Sequence, residues 1–292
     1  TTGSTSTDAA STGEAPTSTG STGDTGGEPV MPTMLPAPTG TCPTLAAGDI
    51  TFAPAGVEPR AVRLWMSDAA ATMDGPLVFY WHGTGSKPDE ALYGLGKDYI
   101  DQVVAQGGIV VAPFPDPAAG NFPWWLVVGE KEDDLLLADE VLACAIDQVG
   151  VDVRRIHTAG MSAGGLQTAQ MSFRRSGYIA SAAPYSGGLI FGGMPPFEDP
   201  DNKFSAMIFH AGPGDVVVVG FQQASEDYAA YLDGNANFNF ICTHGGGHSI
   251  PDAQDSVLQG FGDAVGVLPK PFSMRDLNAA VDRALGEPVA GG

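Results

Sequence analysis

Ser162 stands in Gly160-Met-Ser162-Ala-Gly164, a serine set among glycines. A serine hydroxyl is a weak nucleophile at neutral pH until a base takes its proton and a carboxylate orients that base. The bare pattern is a weak signal in a chain with 40 glycines, so its surroundings must carry the reading. Residues 155–160 read as a strand and 163–175 as a helix, which puts Ser162 at the corner between them. Such a corner needs small neighbours, because the backbone passes close to flanking elements. It also exposes the hydroxyl and turns a helix N-terminus toward any charge that develops beside it.

A base and an acid are available further along. Thr243-His244-Gly-Gly-Gly-His248-Ser249 offers two histidines. His248 lies in a run of small residues, free to reach across strand tips, whereas His244 sits at a strand end and reads as structural. The His-x-x-x-His spacing suits zinc only on a helix, and three intervening glycines disfavour one; no metal or cofactor is expected. Asp215 closes the turn Gly212-Pro-Gly-Asp215 and is the single acid between Lys203 and Glu226. The order Ser162, Asp215, His248, each after a strand, is that of acyl-transfer hydrolases with parallel sheets. Such chemistry also needs two backbone N–H groups aimed at the oxyanion. Ala163, next to the nucleophile, supplies one, and the loop His82-Gly83-Thr84-Gly85 is placed to supply the other.

The elements that must position these groups alternate along the chain. Residues 50–55 and 61–65 read as an opening hairpin. Residues 76–81 and 108–113 are near-continuous apolar runs, as strands covered on both faces require. Between them residues 89–106 carry helical spacing. A helix over 132–149 has acids in its first turn, where the helix dipole favours them. Strands follow at 155–160, 178–185, 205–211 and 238–243, with helices at 163–175 and 221–232 and a last one at 276–285. Repeated strand–helix alternation predicts an α/β fold with a mostly parallel central sheet flanked by helices, whose reactive groups gather beyond the strands' carboxyl ends.

With these pieces in order, the chain resembles the polyhydroxybutyrate-depolymerase-like and feruloyl-esterase-like α/β-hydrolases. The resemblance rests on His82-Gly-Thr-Gly, Val151-Asp-Val-Arg-Arg-Ile156, Gly160-Met-Ser-Ala-Gly-Gly165, the Asp215 turn and Gly246-Gly-His248-Ser-Ile-Pro251, and runs from about residue 75 to 251. It implies an α/β-hydrolase fold with Ser162 as nucleophile, Asp215 as acid and His248 as base, and with Thr84 and Ala163 as oxyanion donors. Residues 186–204, rich in Gly and Pro, leave no room for a large lid, which suits bulky or polymeric esters: polyhydroxyalkanoate, feruloyl esters or other polyesters. Gly83 allows close approach of the main chain to substrate, and Phe122, Trp124 and Trp125, beyond the 109–112 strand, can stack on an acyl group. Two other classes compete. A serine peptidase of this fold usually carries a propeller or cap domain that 251 residues cannot hold. A non-catalytic binding module would be expected to have lost part of the Ser162, Asp215, His248 set.

Composition divides the chain in two. Residues 1–41 hold 12 Thr, 7 Gly, 5 Ser and 5 Pro without one aromatic or basic residue. Such a segment cannot bury enough apolar surface to offset the entropy of ordering it, so it reads as a disordered linker before a single catalytic domain over 42–292. Its four acids leave −17 of the total −21 charge on the domain, which argues against nucleic acid or anionic lipid as partner. No apolar run reaches the roughly 18 residues of a membrane span. A chain opening on Thr1 after such a leader is expected of a processed, exported protein, extracellular or at the cell surface. A monomer acting on an ester substrate is the expectation for partners. The three cysteines, Cys42, Cys144 and Cys242, have no metal-like spacing, and at least one must stay unpaired within the chain.

Overall fold

The computed structural model describes residues 31–32, 34–126, 131–190 and 196–251. Among these residues eight strands form one sheet in the order β1-β2-β4-β3-β5-β6-β7-β8. The hairpin of β1 (Gly48–Phe52) and β2 (Arg60–Trp65) is antiparallel, and β2 runs antiparallel to β4 (Ile109–Pro113). All later pairings are parallel: β4 with β3 (Gly75–Trp81), then β5 (Val151–Met161), β6 (Ser181–Tyr185), β7 (Ser205–His210) and β8 (Phe238–Thr243). Every residue of β3, β4, β6 and β7 is buried, which is why their sequences are mostly apolar rather than alternating.

Among the described residues four α-helices cover the sheet: α1 (Lys97–Ala105), α2 (Asp133–Gln148), α3 (Ala163–Arg174) and α4 (Phe221–Gly234). One core joins α2, α3 and α4 to one side, with Leu142, Met171, Phe173 and Tyr228 fully buried. A second gathers around Tyr80, Ile100, Val103 and Phe209 on the side of α1. The helix read over residues 89–106 begins later than its spacing suggests, at Lys97. A π-turn at Leu92–Gly96 precedes it and Gly96 takes φ +83°, a value closed to most side chains. The helix expected over 276–285 lies outside the described residues.

The boundary expected at residue 41 needs correction. Glu140, buried on α2, accepts hydrogen bonds from Thr39 N (2.7 Å), Thr39 Oγ1 (2.8 Å) and Gly40 N (2.9 Å). Cys42 forms a disulfide with Cys144 of α2, leaving Cys242 free. Gln148 continues the clamp, accepting from Leu45 N and donating to Pro43 O. A Thr/Gly/Pro stretch with no core of its own is thus held by two polar residues and a cross-link contributed from about a hundred positions away.

Candidate active site

The site stands where β5 turns into α3. Ser162 adopts φ +58°, ψ −118°, a conformation that costs on the order of 1–3 kcal/mol and persists only when its surroundings over-determine it. They do. Ser162 N donates to Tyr185 O at the end of β6 (2.9 Å), and Ser162 O accepts from Leu166 N (2.9 Å). A Cβ on Gly164 would fall inside the Trp81 carbonyl, and one on Gly160 would meet both that carbonyl and Gly164. The glycines of the motif therefore serve close approach of β3, β5 and α3.

Three elements bring the remaining groups to this corner. His248, from the loop after β8, places Nε2 2.9 Å from Ser162 Oγ and Nδ1 2.7 Å from Asp215 Oδ1. The Phe221 ring, at the start of α4, lies 4.6 Å from the imidazole centroid and backs it. Asp215 is fully buried, yet its carboxylate is well supplied with donors. Its Oδ2 accepts from Ser186 Oγ (2.8 Å) and from Ala211 N (2.9 Å) while Oδ1 faces the imidazole. Buried charge is tolerable only when so compensated.

Ser186 went unnoticed in the sequence. It follows β6, is fully buried and holds φ +42°, with its N–H bonded to Phe209 O (2.8 Å). The signal was available: in Tyr185-Ser186-Gly187-Gly188, a hydroxyl beside two glycines ends the strand next to the one that leads to Ser162. Nothing local said which acid it would meet.

His244 stands apart from this relay. Its Nδ1 accepts from Gly246 N (3.2 Å) within its own loop, its backbone N–H bonds to His210 O, and burial holds its imidazole below the usual 6.5. On the opposite rim, Thr84 and Ala163 both line the cavity beside Ser162. Gly83 N donates to Glu90 Oε1 (3.0 Å), which also takes the Tyr80 hydroxyl (3.0 Å). That bond commits the Gly83 N–H and leaves Thr84 as the residue of its loop turned to the cavity.

The cavity, about 200 Å³, is lined by Phe122, Leu166, Ile190, Val217, Val218, Val219 and Phe221 around Ser162 and His248. The expected substrate contacts need correction. Trp124 is 1% exposed, donates Nε1 to His82 O (2.9 Å) and meets Trp81 edge-to-face, so it is core. Trp125 donates Nε1 to Asp116 (2.9 Å) and lies under the Lys131 ammonium, away from the cavity. Gly83 sits close to the Ser162 Cβ without lining the cavity. The aromatic residue of that loop that does line it is Phe122.

Among solved structures the chain is similar to native pOPH, with a TM-score of 0.66 at 17% identity over 81% of this chain and 92% of that one. The chain has the α/β-hydrolase fold. A thermostable esterase (TM-score 0.54, 18% identity, 82% of this chain and 62% of that one) and a ferulic acid esterase (0.52, 15%, 75% and 97%) share it. No protein-family model and no curated protein matches the sequence. At such identities the likeness is one of fold.

Proposed function

We propose that this protein is a serine hydrolase of carboxylic esters that works through an acyl-enzyme on Ser162. The observation that carries the reading is the unbroken relay Ser162 Oγ, His248 Nε2, His248 Nδ1, Asp215 Oδ1, with both contacts under 3 Å. In this reading neutral His248 accepts the Ser162 proton as Oγ attacks the ester carbonyl. The developing oxyanion is met by the backbone N–H groups of Ala163 and Thr84, helped by the N-terminus of α3. Protonated His248, steadied by Asp215, then gives its proton to the departing alcohol. Water repeats the sequence in reverse to free the acid and restore Ser162. An apolar cavity of about 150 Å³ holds a benzene-sized group, so the 200 Å³ here suits a short aliphatic or single-ring acyl group.

Bulky or polymeric esters fit a site lined mostly by apolar side chains, Phe122, Leu166, Ile190 and Phe221 among them. Fold neighbours that are esterases support ester chemistry in general. An extracellular or cell-surface location is supported by the Cys42–Cys144 disulfide, since such bonds persist in oxidising compartments. The test is a hydrolysis panel of p-nitrophenyl acyl esters, methyl ferulate and polyester films, run on the protein and on Ser162→Ala. Turnover in the variant should fall by about 10⁴ or more with the melting temperature retained. Near-normal turnover, or a phosphonate adduct on another serine, defeats the proposal.

A further inference from the structure

Thr84 serves an oxyanion only if its backbone N–H points into the cavity, and that direction is set one residue earlier. The peptide joining Gly83 to Thr84 is planar and trans, so the Thr84 N–H points opposite to the Gly83 C=O. Two donors hold that carbonyl, His82 Nδ1 (2.8 Å) and Ser86 N (3.1 Å). The preceding peptide is held by a carboxylate, for Gly83 N donates to Glu90 Oε1 (3.0 Å). Gly83 runs close beside the nucleophile; a Cβ there would stand 3.3 Å from Met161 O and 3.5 Å from the Ser162 Cβ. The same lack of a side chain leaves both of its dihedrals free, so its two peptides must be fixed from outside.

From this geometry we infer that Glu90 is a positioning residue for the oxyanion hole, acting through the Gly83 N–H to keep the Thr84 N–H aimed at the developing charge. The inference rests on the ester-hydrolase reading and adds a residue to its machinery. Glu90 is itself held in place. The hydroxyl of Tyr80, a buried residue of β3, donates to the same Oε1 (3.0 Å). A Cβ on Gly94 would fall 2.0 Å from that hydroxyl, so the glycine of the π-turn makes room for it. Glu90 ends the short turn Pro88–Glu90, and its neighbour Asp89 pairs with Arg63 of β2. A carboxylate tied in this way to β2 and β3 carries the rigidity of the sheet to a loop of small residues.

Steady-state kinetics on p-nitrophenyl butyrate, together with inhibition by n-butylboronic acid, separates positioning from mere support of the fold. Boron takes Ser162 Oγ and becomes tetrahedral, which sets a hydroxyl where the oxyanion would stand. Its affinity therefore reads the hole, whereas KM reads the bound ester. Glu90→Ala and Glu90→Met, the second retaining the length of the side chain, both remove the acceptor. Each should lower kcat by about ten- to a hundredfold, since displacing a reacting group by about 1 Å costs up to about 10²-fold and outright loss of an oxyanion donor about 10²–10³. KM should move by less than about threefold, and boronate affinity should fall along with kcat. Glu90→Gln keeps an oxygen able to accept both bonds and should recover most of the loss. Unchanged kcat in Glu90→Ala and Glu90→Met overturns the inference. So does a loss of kcat with boronate affinity intact, or a Glu90→Gln protein as impaired as Glu90→Ala. Failure of the ester-hydrolase reading would appear elsewhere, as absence of turnover by the unaltered protein or as turnover that survives Ser162→Ala.

Discussion

Replacing Ser186 with alanine removes one of the three donors that Asp215 has in its dry setting. The hydroxyl lies 2.8 Å from Oδ2, both residues are fully buried, and no water can take its place without a cavity. A hydrogen bond to a charged group contributes about 1.5–3 kcal/mol, and for a domain of this size each kcal/mol shifts the melting temperature by roughly 2–4 °C. Ser186→Ala is therefore expected to melt about 3–12 °C lower. Turnover should fall as well, because an Asp215 freed on one side no longer holds Oδ1 against His248. A loss of about tenfold is expected, far below the roughly 10⁴ that follows when a triad acid is neutralised. The decisive assay is a double-mutant cycle on kcat. Added to Asp215→Asn, Ser186→Ala should cost little more, since the group through which it acts is already disabled. Additive losses in kcat would refute the reasoning and leave Ser186 a residue of the core.

His248→Ala should lower turnover by several orders of magnitude, whereas His244→Ala should leave it of the same order; the reverse pattern in the same ester assay would reassign the base. Cys144→Ser opens a cross-link between residues 102 apart, for which chain entropy alone gives about 4.7 kcal/mol and measured values run about 2–5. A drop in denaturation midpoint of that order is expected, and calorimetry of the reduced protein should reproduce it. Truncation after residue 30 should spare stability, while truncation after residue 41 should lower it by removing the Thr39 and Gly40 bonds to Glu140. Burial holds both His82 and His244 below the usual 6.5, so the unfolded chain takes up their protons first. Their contribution is whole above pH 6.5 and is lost as pH falls through the folded-state values. Chemical denaturation between pH 7 and 5 should show this decline, shallower in His82→Asn.

Much of the site was legible in the sequence because the chemistry is written locally. A glycine-bracketed serine between an apolar run and a helical one reads as a corner, and Asp215 and His248 each follow a strand. Continuous hydrophobicity over residues 76–81 and 108–113 announced strands covered on both faces, and the strands run Gly75–Trp81 and Ile109–Pro113. What these patterns report is each residue's own neighbourhood along the chain.

Tertiary structure decided whatever depends on residues distant in sequence meeting in space. Composition marked residues 1–41 as linker, yet Glu140 and Cys144, on one face of α2, draw residues 39–42 onto the domain. Trp124 and Trp125 lie in a loop on the catalytic side. The His82 carbonyl and Asp116 take their indole N–H groups and turn them from the cavity that Phe122 enters. Ser186 became part of the site only when β6 and β7 paired and set its hydroxyl against Asp215. Nothing in the apolar run after Asp215 tells inside from outside; the bridge from Val216 to Gly220 leaves Val216, Val217 and Val218 exposed. Periodicity records which face of an element is apolar; the partner of a buried donor, or the exposure of a loop, is set by three-dimensional packing.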